Sequence, residues 1–314
     1  MSGSPVIHVE GLQKSYAKMQ ALKGIDFAVG EGSIFGFVGP NGAGKSTTLK
    51  ILATLMRPTD GRAFIAGVDV TKHPGQVRRL MGYMPDFFGV YDRLKVTEYL
   101  DFYASCYGIP GAKRQSITAD LLELIDLTGK ADAYVDTLSR GMKQKLCLAR
   151  SLVHDPKVLL LDEPASGLDP RARVEMRELL RELRSMGKSI IISSHILPEL
   201  AELCTEVGII EGGRMVAVGS VEAITVQLSQ ERIIHIKIAG QSGPAMAILQ
   251  ADPAVAGVAE GADGTLQVAF SGGEAEQLQL LRALVTAGVP VVSFAETGNS
   301  LEDLFMRITE GVQS

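Results

Sequence analysis

Ile34-Phe35-Gly36-Phe37-Val38 runs directly into Gly39-Pro40-Asn41-Gly42-Ala43-Gly44-Lys45-Ser46-Thr47, and the reading of this stretch decides the fold. The first five residues are a short apolar run that stops at glycine, the pattern of a buried strand. Lys45 to Leu55, free of Gly and Pro, suits a helix. Between them lies Gly-x-x-x-x-Gly-Lys-Ser/Thr in the strand–turn–helix setting such a loop requires. Glycines let successive backbone N–H groups curl round a phosphate chain, and the helix N-terminus adds the positive end of its dipole. Gly39 through Thr47 is therefore a candidate nucleotide site. Lys45 is placed to reach the β- and γ-phosphates, and the Ser46 hydroxyl to ligate Mg²⁺.

Outward from the loop, Val158-Leu159-Leu160-Leu161 is a second buried-strand candidate, followed at once by Asp162-Glu163-Pro164. In an open parallel sheet such strand ends face the ligand crevice. Asp162 is the candidate to hold Mg²⁺, directly or through water, and Glu163 the candidate to polarise an attacking water. Ser189 to Ser194 reads as a third strand around Ile190-Ile191-Ile192. Met176, Leu179, Leu180, Leu183 and Met186 trace one helix face ended by Gly187. Residues 6–10 and 25–29 alternate like strands, and Glu98 to Ala149 reads as mostly helical. The expected class is α/β: a mixed sheet with a parallel core, a β-rich N-terminal part and a helical insertion at about 86–150.

At 314 residues, and about 150 per domain, the chain should hold two domains. It is 46% hydrophobic and 21% charged, enough apolar material for a core. The net charge of −5 disfavours a nucleic-acid binder. Charge is also uneven: 27 Lys/Arg face 25 Asp/Glu up to Ser220, but only 4 face 11 from Val221 onward. Mean hydropathy is +0.17, yet the apolar runs fall far short of the roughly 20 residues of a spanning helix. The first residues, MSGSPVIHVE, lack the pattern of a signal peptide, and Cys106, Cys147 and Cys204 are not in metal-ligand spacing. The expectation is a reduced, cytosolic chain.

After Gly219 the pattern changes, with Ile234, Ile236 and Ile238 alternating with His235 and Lys237. The remainder reads as strand, helix, strand, strand, helix, strand, then a last helix from Ser300 to Thr309. That order is the split β-α-β unit of a small α+β, ferredoxin-like domain. The boundaries expected are 4–219 and 220–314.

Further motifs carry a resemblance. Leu138-Ser139-Arg140-Gly141-Met142-Lys143-Gln144-Lys145 looks like the Leu-Ser-Gly-Gly-Gln signature of the ATP-binding cassette (ABC) ATPases. Ser166-Gly167-Leu168-Asp169 is similar to that family's D-loop, and Ser194-His195 stands where it carries a switch histidine. Tyr16 sits where an aromatic stacks on adenine. Over residues 4–219 the chain resembles this family, and the resemblance implies its chemistry. His195 would contact the γ-phosphate. Ser139 and Gly141 would offer a hydroxyl and N–H groups to a γ-phosphate held by a second copy of the cassette. Arg140 and Met142 depart from the usual Gly and Gln. Arg140 is read either as a charge near the phosphates or as a solvated arginine. Asp86, in Gly82-Tyr83-Met84-Pro85-Asp86, replaces the glutamine that usually follows the proline; it could approach Mg²⁺ through water, but it cannot donate an amide hydrogen bond.

The resemblance implies the ATPase subunit of a transporter whose membrane-spanning permease subunits are separate chains, holding it at the inner face of the cell membrane. Phe87, Phe88, Val90 and Tyr91 would form an apolar face toward those partners. The C-terminal Asn299-Ser300-Leu301-Glu302-Asp303-Leu304-Phe305-Met306-Arg307 looks like that of exporter ATPases for drugs, antibiotics or polysaccharides. The alternative is a soluble ABC ATPase acting on ribosomes or DNA. Against it stand the single cassette, the lack of a coiled-coil insertion and the lack of a basic footprint.

Overall fold

A computed structural model describes residues 5–17, 19–87, 89, 93–196, 200–228, 232–240, 242–261 and 264–297. The chain divides into two compact units, Met1–Val221 and Glu222–Ser314.

The first unit opens with an antiparallel sheet of β1 (Ile7–Tyr16), β2 (Met19–Val29), β4 (Asp60–Ile65) and β5 (Val68–Asp69), ordered β2-β1-β4-β5. Six further strands make the second sheet: β3 (Ile34–Val38), β6 (Met81–Met84), β7 (Val158–Asp162), β8 (Ser189–Ser194), β9 (Glu206–Glu211) and β10 (Arg214–Ser220), ordered β10-β9-β3-β8-β7-β6. The pairs from β9 to β6 are parallel; only β10 runs against its neighbour. β3, β7 and β8 are buried along their whole lengths, which is why their centres read as apolar runs and not as alternation.

Helix α1 (Lys45–Leu52) contributes Leu49, Ile51 and Leu52 to a core shared with Ile7, Leu12, Ile25 and Ile65 of one sheet and Phe35, Leu160 and Ile191 of the other. Phe27 stacks on Phe35 and Phe37 there, with ring centroids 5.5 and 5.4 Å apart. α1 ends three residues earlier than its composition suggests, because Thr54 turns into the left-handed region at φ 61°. α2 (Pro74–Leu80) leads into β6.

The insertion is less uniformly helical than its spacing suggests. It holds α3 (Val96–Cys106), α4 (Gly111–Leu124) and α5 (Arg140–Leu152), which pack together, with only two single 3-10 turns between α4 and α5. Ser139 starts α5 by accepting the Met142 N–H on its side chain at 3.3 Å. α6 (Pro170–Ser185) begins the same way, with Asp169 accepting the Ala172 N–H at 3.0 Å and Pro170 in the first turn. Met176, Leu179, Leu180 and Leu183 are buried on α6. Met186, read as part of that face, is 59% exposed, because the helix ends at Ser185 and Gly187 turns the chain away at φ 86°.

The second unit opens with α7 (Val221–Leu228), whose first residue closes the first unit. It runs β11 (Arg232–Ile238), α8 (Gly243–Ala251), β12 (Val255–Glu260), β13 (Thr265–Phe270), α9 (Glu274–Thr286), β14 (Val291–Thr297), with antiparallel sheet order β12-β13-β11-β14. This is the ferredoxin-like order. Ile234 and Ile236 face a core with Leu249, Leu266, Val268, Phe270, Leu280 and Leu284. The expected helix at 300–309, and with it residues 299–307 of the exporter-like end, lies outside the described residues. Among the described residues no helix is long and apolar enough to cross a membrane.

The turn after β3 is pinned from below. A Cβ on Gly39 would lie 2.2 Å from the Ile210 carbonyl oxygen, a backbone atom that cannot swing aside. Gly39→Ala is therefore expected to cost about 1–3 kcal/mol through overpacking, read as a drop of several degrees in nucleotide-free Tm by calorimetry. Gly75→Ala, in α2 and with nothing within 4 Å, serves as the control and should leave Tm unchanged or slightly higher.

Candidate functional site

The parallel order places the ends of β3, β6, β7 and β8 side by side. A cleft of about 410 Å³ opens there, lined by loop residues Pro40, Asn41, Gly42, Gly44, Lys45, Ser46 and Thr47 and by Tyr16, Asp86, Glu163 and His195. Gly39 and Ala43 lie beneath it. The Gly39 carbonyl faces the lysine, and Ala43 ties the loop to its surroundings: its N–H donates to Pro40 O (3.2 Å) and its carbonyl accepts from Gly213 N (3.1 Å). Gly44 caps α1 at φ 116°, a conformation only glycine adopts freely, and a Cβ there would meet Leu22 at 2.6 Å. The N–H groups of the first turn of α1 have no acceptor within the helix and so are available to an anion.

Lys45 is 6% exposed. Its ammonium donates to Gly39 O at 2.5 Å and Pro40 O at 3.3 Å, and stands 3.6 Å from Glu163 Oε1. Burial pulls its pKa below the ordinary lysine value, outweighing the opposite pull of Glu163 and Asp162. Glu163 follows β7 in the left-handed region, at φ 51°. Its Oε2 meets His195 Nδ1 at 3.0 Å, and burial raises its pKa despite the neighbouring Lys45 and His195.

Asp162 is only 2% exposed and does not itself line the cleft. Its Oδ1 accepts from the Ser46 hydroxyl at 3.1 Å and the Ser193 hydroxyl at 2.6 Å. Ser46 and Asp162 thus present hard oxygen donors side by side, the chemistry that suits Mg²⁺. Asp86, at the exposed end of β6, lines the same cleft. Among the described residues no cluster of three or more His, Cys, Asp or Glu is placed to hold a metal alone. Mg²⁺ sites of one or two protein ligands completed by phosphates and water need none.

Tyr16 stands at the wall of the cleft, 38% exposed, with its hydroxyl donating to Met56 Sδ at 2.8 Å. Ser139 and Gly141 are not in this cleft. They line a separate groove of about 240 Å³ with Gly167 and Asp169. Arg140 is exposed and does not line the cleft. Its guanidinium lies over Gly167 and donates to Ser166 O at 3.0 Å, a carbonyl that also accepts from Gln144 at 3.1 Å. Phe87 is 89% exposed; Phe88, Val90 and Tyr91 lie outside the described residues. Ser193 is a contributor that sequence reasoning passed over, and Ser166, quoted there only as the start of a motif, also lines the cleft. The one available signal was Ser193-Ser194 closing an isoleucine run beside a histidine.

The family described as "ABC transporter" matches residues 22–166, and "ATP-binding protein DrrA1-3-like, C-terminal domain" matches residues 219–309. The chain is 34% identical to the Nod factor export ATP-binding protein I of Ralstonia nicotianae, over 98% of this chain and 95% of that one. It is likewise 34% identical to the daunorubicin resistance ATP-binding protein DrrA3 of Streptomyces coeruleorubidus, over 96% and 95%. Among solved structures, an ATP-binding subunit of an ABC transporter superposes with TM-score 0.64 at 32% identity, covering 71% of this chain and 92% of that one.

Glu163 also sets a pH dependence. Because the folded state holds its proton more tightly than the unfolded chain does, the side chain favours folding at acid pH. That contribution is lost as pH rises through its folded value. Glu163→Gln removes the effect, so its Tm relative to the parent is expected to rise between about pH 4 and pH 6. Calorimetry across that range, without nucleotide, measures it; a difference that shrinks with pH contradicts the burial argument.

Proposed function

Because the chain belongs to the ABC transporter ATP-binding proteins, we propose that it is the ATP-hydrolysing subunit of an exporter, working as a pair of cassettes on separate membrane-spanning permease subunits. The observation that carries this is the convergence of Lys45, Glu163 and His195 on one cleft floored by a phosphate-cradling loop. Export is favoured because relatives matching nearly the whole chain, second unit included, are named for Nod factor export and daunorubicin resistance. The ribosome or DNA reading has no such support.

In this reading the ATP triphosphate lies along Gly39–Thr47, with Tyr16 against the adenine. Lys45 already stands among carbonyl oxygens and exchanges them for phosphate oxygens. Ser46 and Asp162 hold Mg²⁺, which supplies neutralisation of the phosphate charge. Glu163 accepts a proton from water and orients it in line, while His195 Nδ1 holds that carboxylate in place. Positioning and charge neutralisation do most of the work in such a transfer. Ser139 and Gly141, lying outside this chain's own cleft, are left to complete the cleft of a second copy. The chain is then held at the inner membrane face through the permease.

Glu163→Gln is expected to leave ATP binding intact, lower turnover by about 100-fold or more, and accumulate an ATP-bound dimer on size exclusion. Parental turnover in that variant would exclude Glu163 as the base. Asp86→Gln is expected to keep or raise ATPase activity, since it removes an anion from beside the triphosphate. Loss of turnover there would give Asp86 a dedicated role at the metal.

A further inference from the structure

Ser193 follows Ile190-Ile191-Ile192 in β8, and its relative exposure is 0%. Parallel pairing sets it opposite Asp162. Its hydroxyl uses both capacities: it donates to Asp162 Oδ1 at 2.6 Å and accepts the Glu163 backbone N–H at 3.0 Å. One oxygen therefore holds the carboxylate of the first acid and the main chain of the second.

The second bond falls where the chain is under strain. Glu163 sits at φ 51°, which residues with side chains avoid unless their surroundings enforce it. The turn carries its carboxylate away from the strand direction, toward Lys45 Nζ at 3.6 Å and His195 Nδ1 at 3.0 Å. At Asp162, Ser193 and Ser46 both bond Oδ1. Oδ2 takes no protein hydrogen bond among the described residues, so the carboxylate is fixed with one oxygen left available.

We propose that Ser193 is a positioning residue for the acid pair: its hydroxyl holds Asp162 by Oδ1 and pins Glu163 in the turn that aims its carboxylate into the cleft. Its importance for turnover rests on the ATPase reading above; the pinning itself does not.

Two measurements on the full-length chain test it. A crystal structure of Ser193→Ala is expected to show Glu163 outside the left-handed region and its contact with His195 Nδ1 broken. Kinetically, Ser193→Ala is expected to lower kcat by about tenfold or more. KM, and the affinity for a fluorescent ATP analogue without Mg²⁺, should stay within about twofold, because the loop that binds phosphate is untouched. Ser193→Thr, which keeps the hydroxyl, should recover most of the rate. The double variant with Glu163→Gln should lose less than the product of the two single effects. The proposal is overturned if Glu163 keeps its conformation in Ser193→Ala, if kcat is unchanged, or if Ser193→Thr fails to rescue. A parental chain without ATPase activity overturns the functional reading instead, and the crystal structure then judges the pinning alone.

Discussion

Everything around the cleft depends on a charge that the fold has taken out of water. The Lys45 ammonium, 6% exposed, rests 2.5 Å from the Gly39 carbonyl and 3.6 Å from Glu163. A buried ammonium is costly unless hydrogen bonds and an opposite charge compensate it. The carbonyls come from a loop that can pass this close only because Gly39 lacks a side chain above Ile210 and Gly44 tolerates φ 116°. The opposite charge comes from Glu163, itself partly desolvated, with its pKa raised by the same burial that lowers that of Lys45. The pair is compensated without being saturated, and that is how a site is poised for a polyanion.

Parallel register makes this arrangement possible. Since β3, β7 and β8 run the same way and side by side, their carboxyl ends deliver the loop, the acid pair and Ser193–His195 to one line. The antiparallel sheet adds Tyr16 at the wall, and β6 adds Asp86. These residues are distant in the chain, and their proximity is a property of strand order, not of local sequence.

Much of this was legible in the residues because strong local patterns carry it. Ile34–Val38 before a glycine-rich turn, and Val158–Leu161 before two acids, mark buried strands by apolar runs. The alternation of Ile234, Ile236 and Ile238 marks a half-buried one. What escaped depends on long-range register or on backbone conformation. Thr54 ends α1 by a left-handed turn that composition does not announce. Met186 keeps the helical spacing but falls one residue beyond the last turn. Ser193 looks like any small residue closing a strand until its partner across the ladder proves to be Asp162. The sheet orders follow from pairings between distant strands, which periodicity cannot express.

One departure from the family pattern, Arg140, makes a different contact from the one its charge suggests. Arg140 and Gln144 stand one helical turn apart on α5 and converge on a single acceptor, the Ser166 carbonyl. Ser166 also lines the cleft, so the first turns of α5 and the cleft wall share one residue. A glycine at position 140 could not make this bond, and a methionine at 142 leaves it undisturbed. A Cβ on Gly167 would lie 2.3 Å from Arg140 Cζ, the mobile end of a long side chain, while the φ of 66° at that position itself favours glycine. The start of α5 and the stretch after β7 are thus joined through two side chains on one carbonyl, and residues 140 and 144 have to be read together.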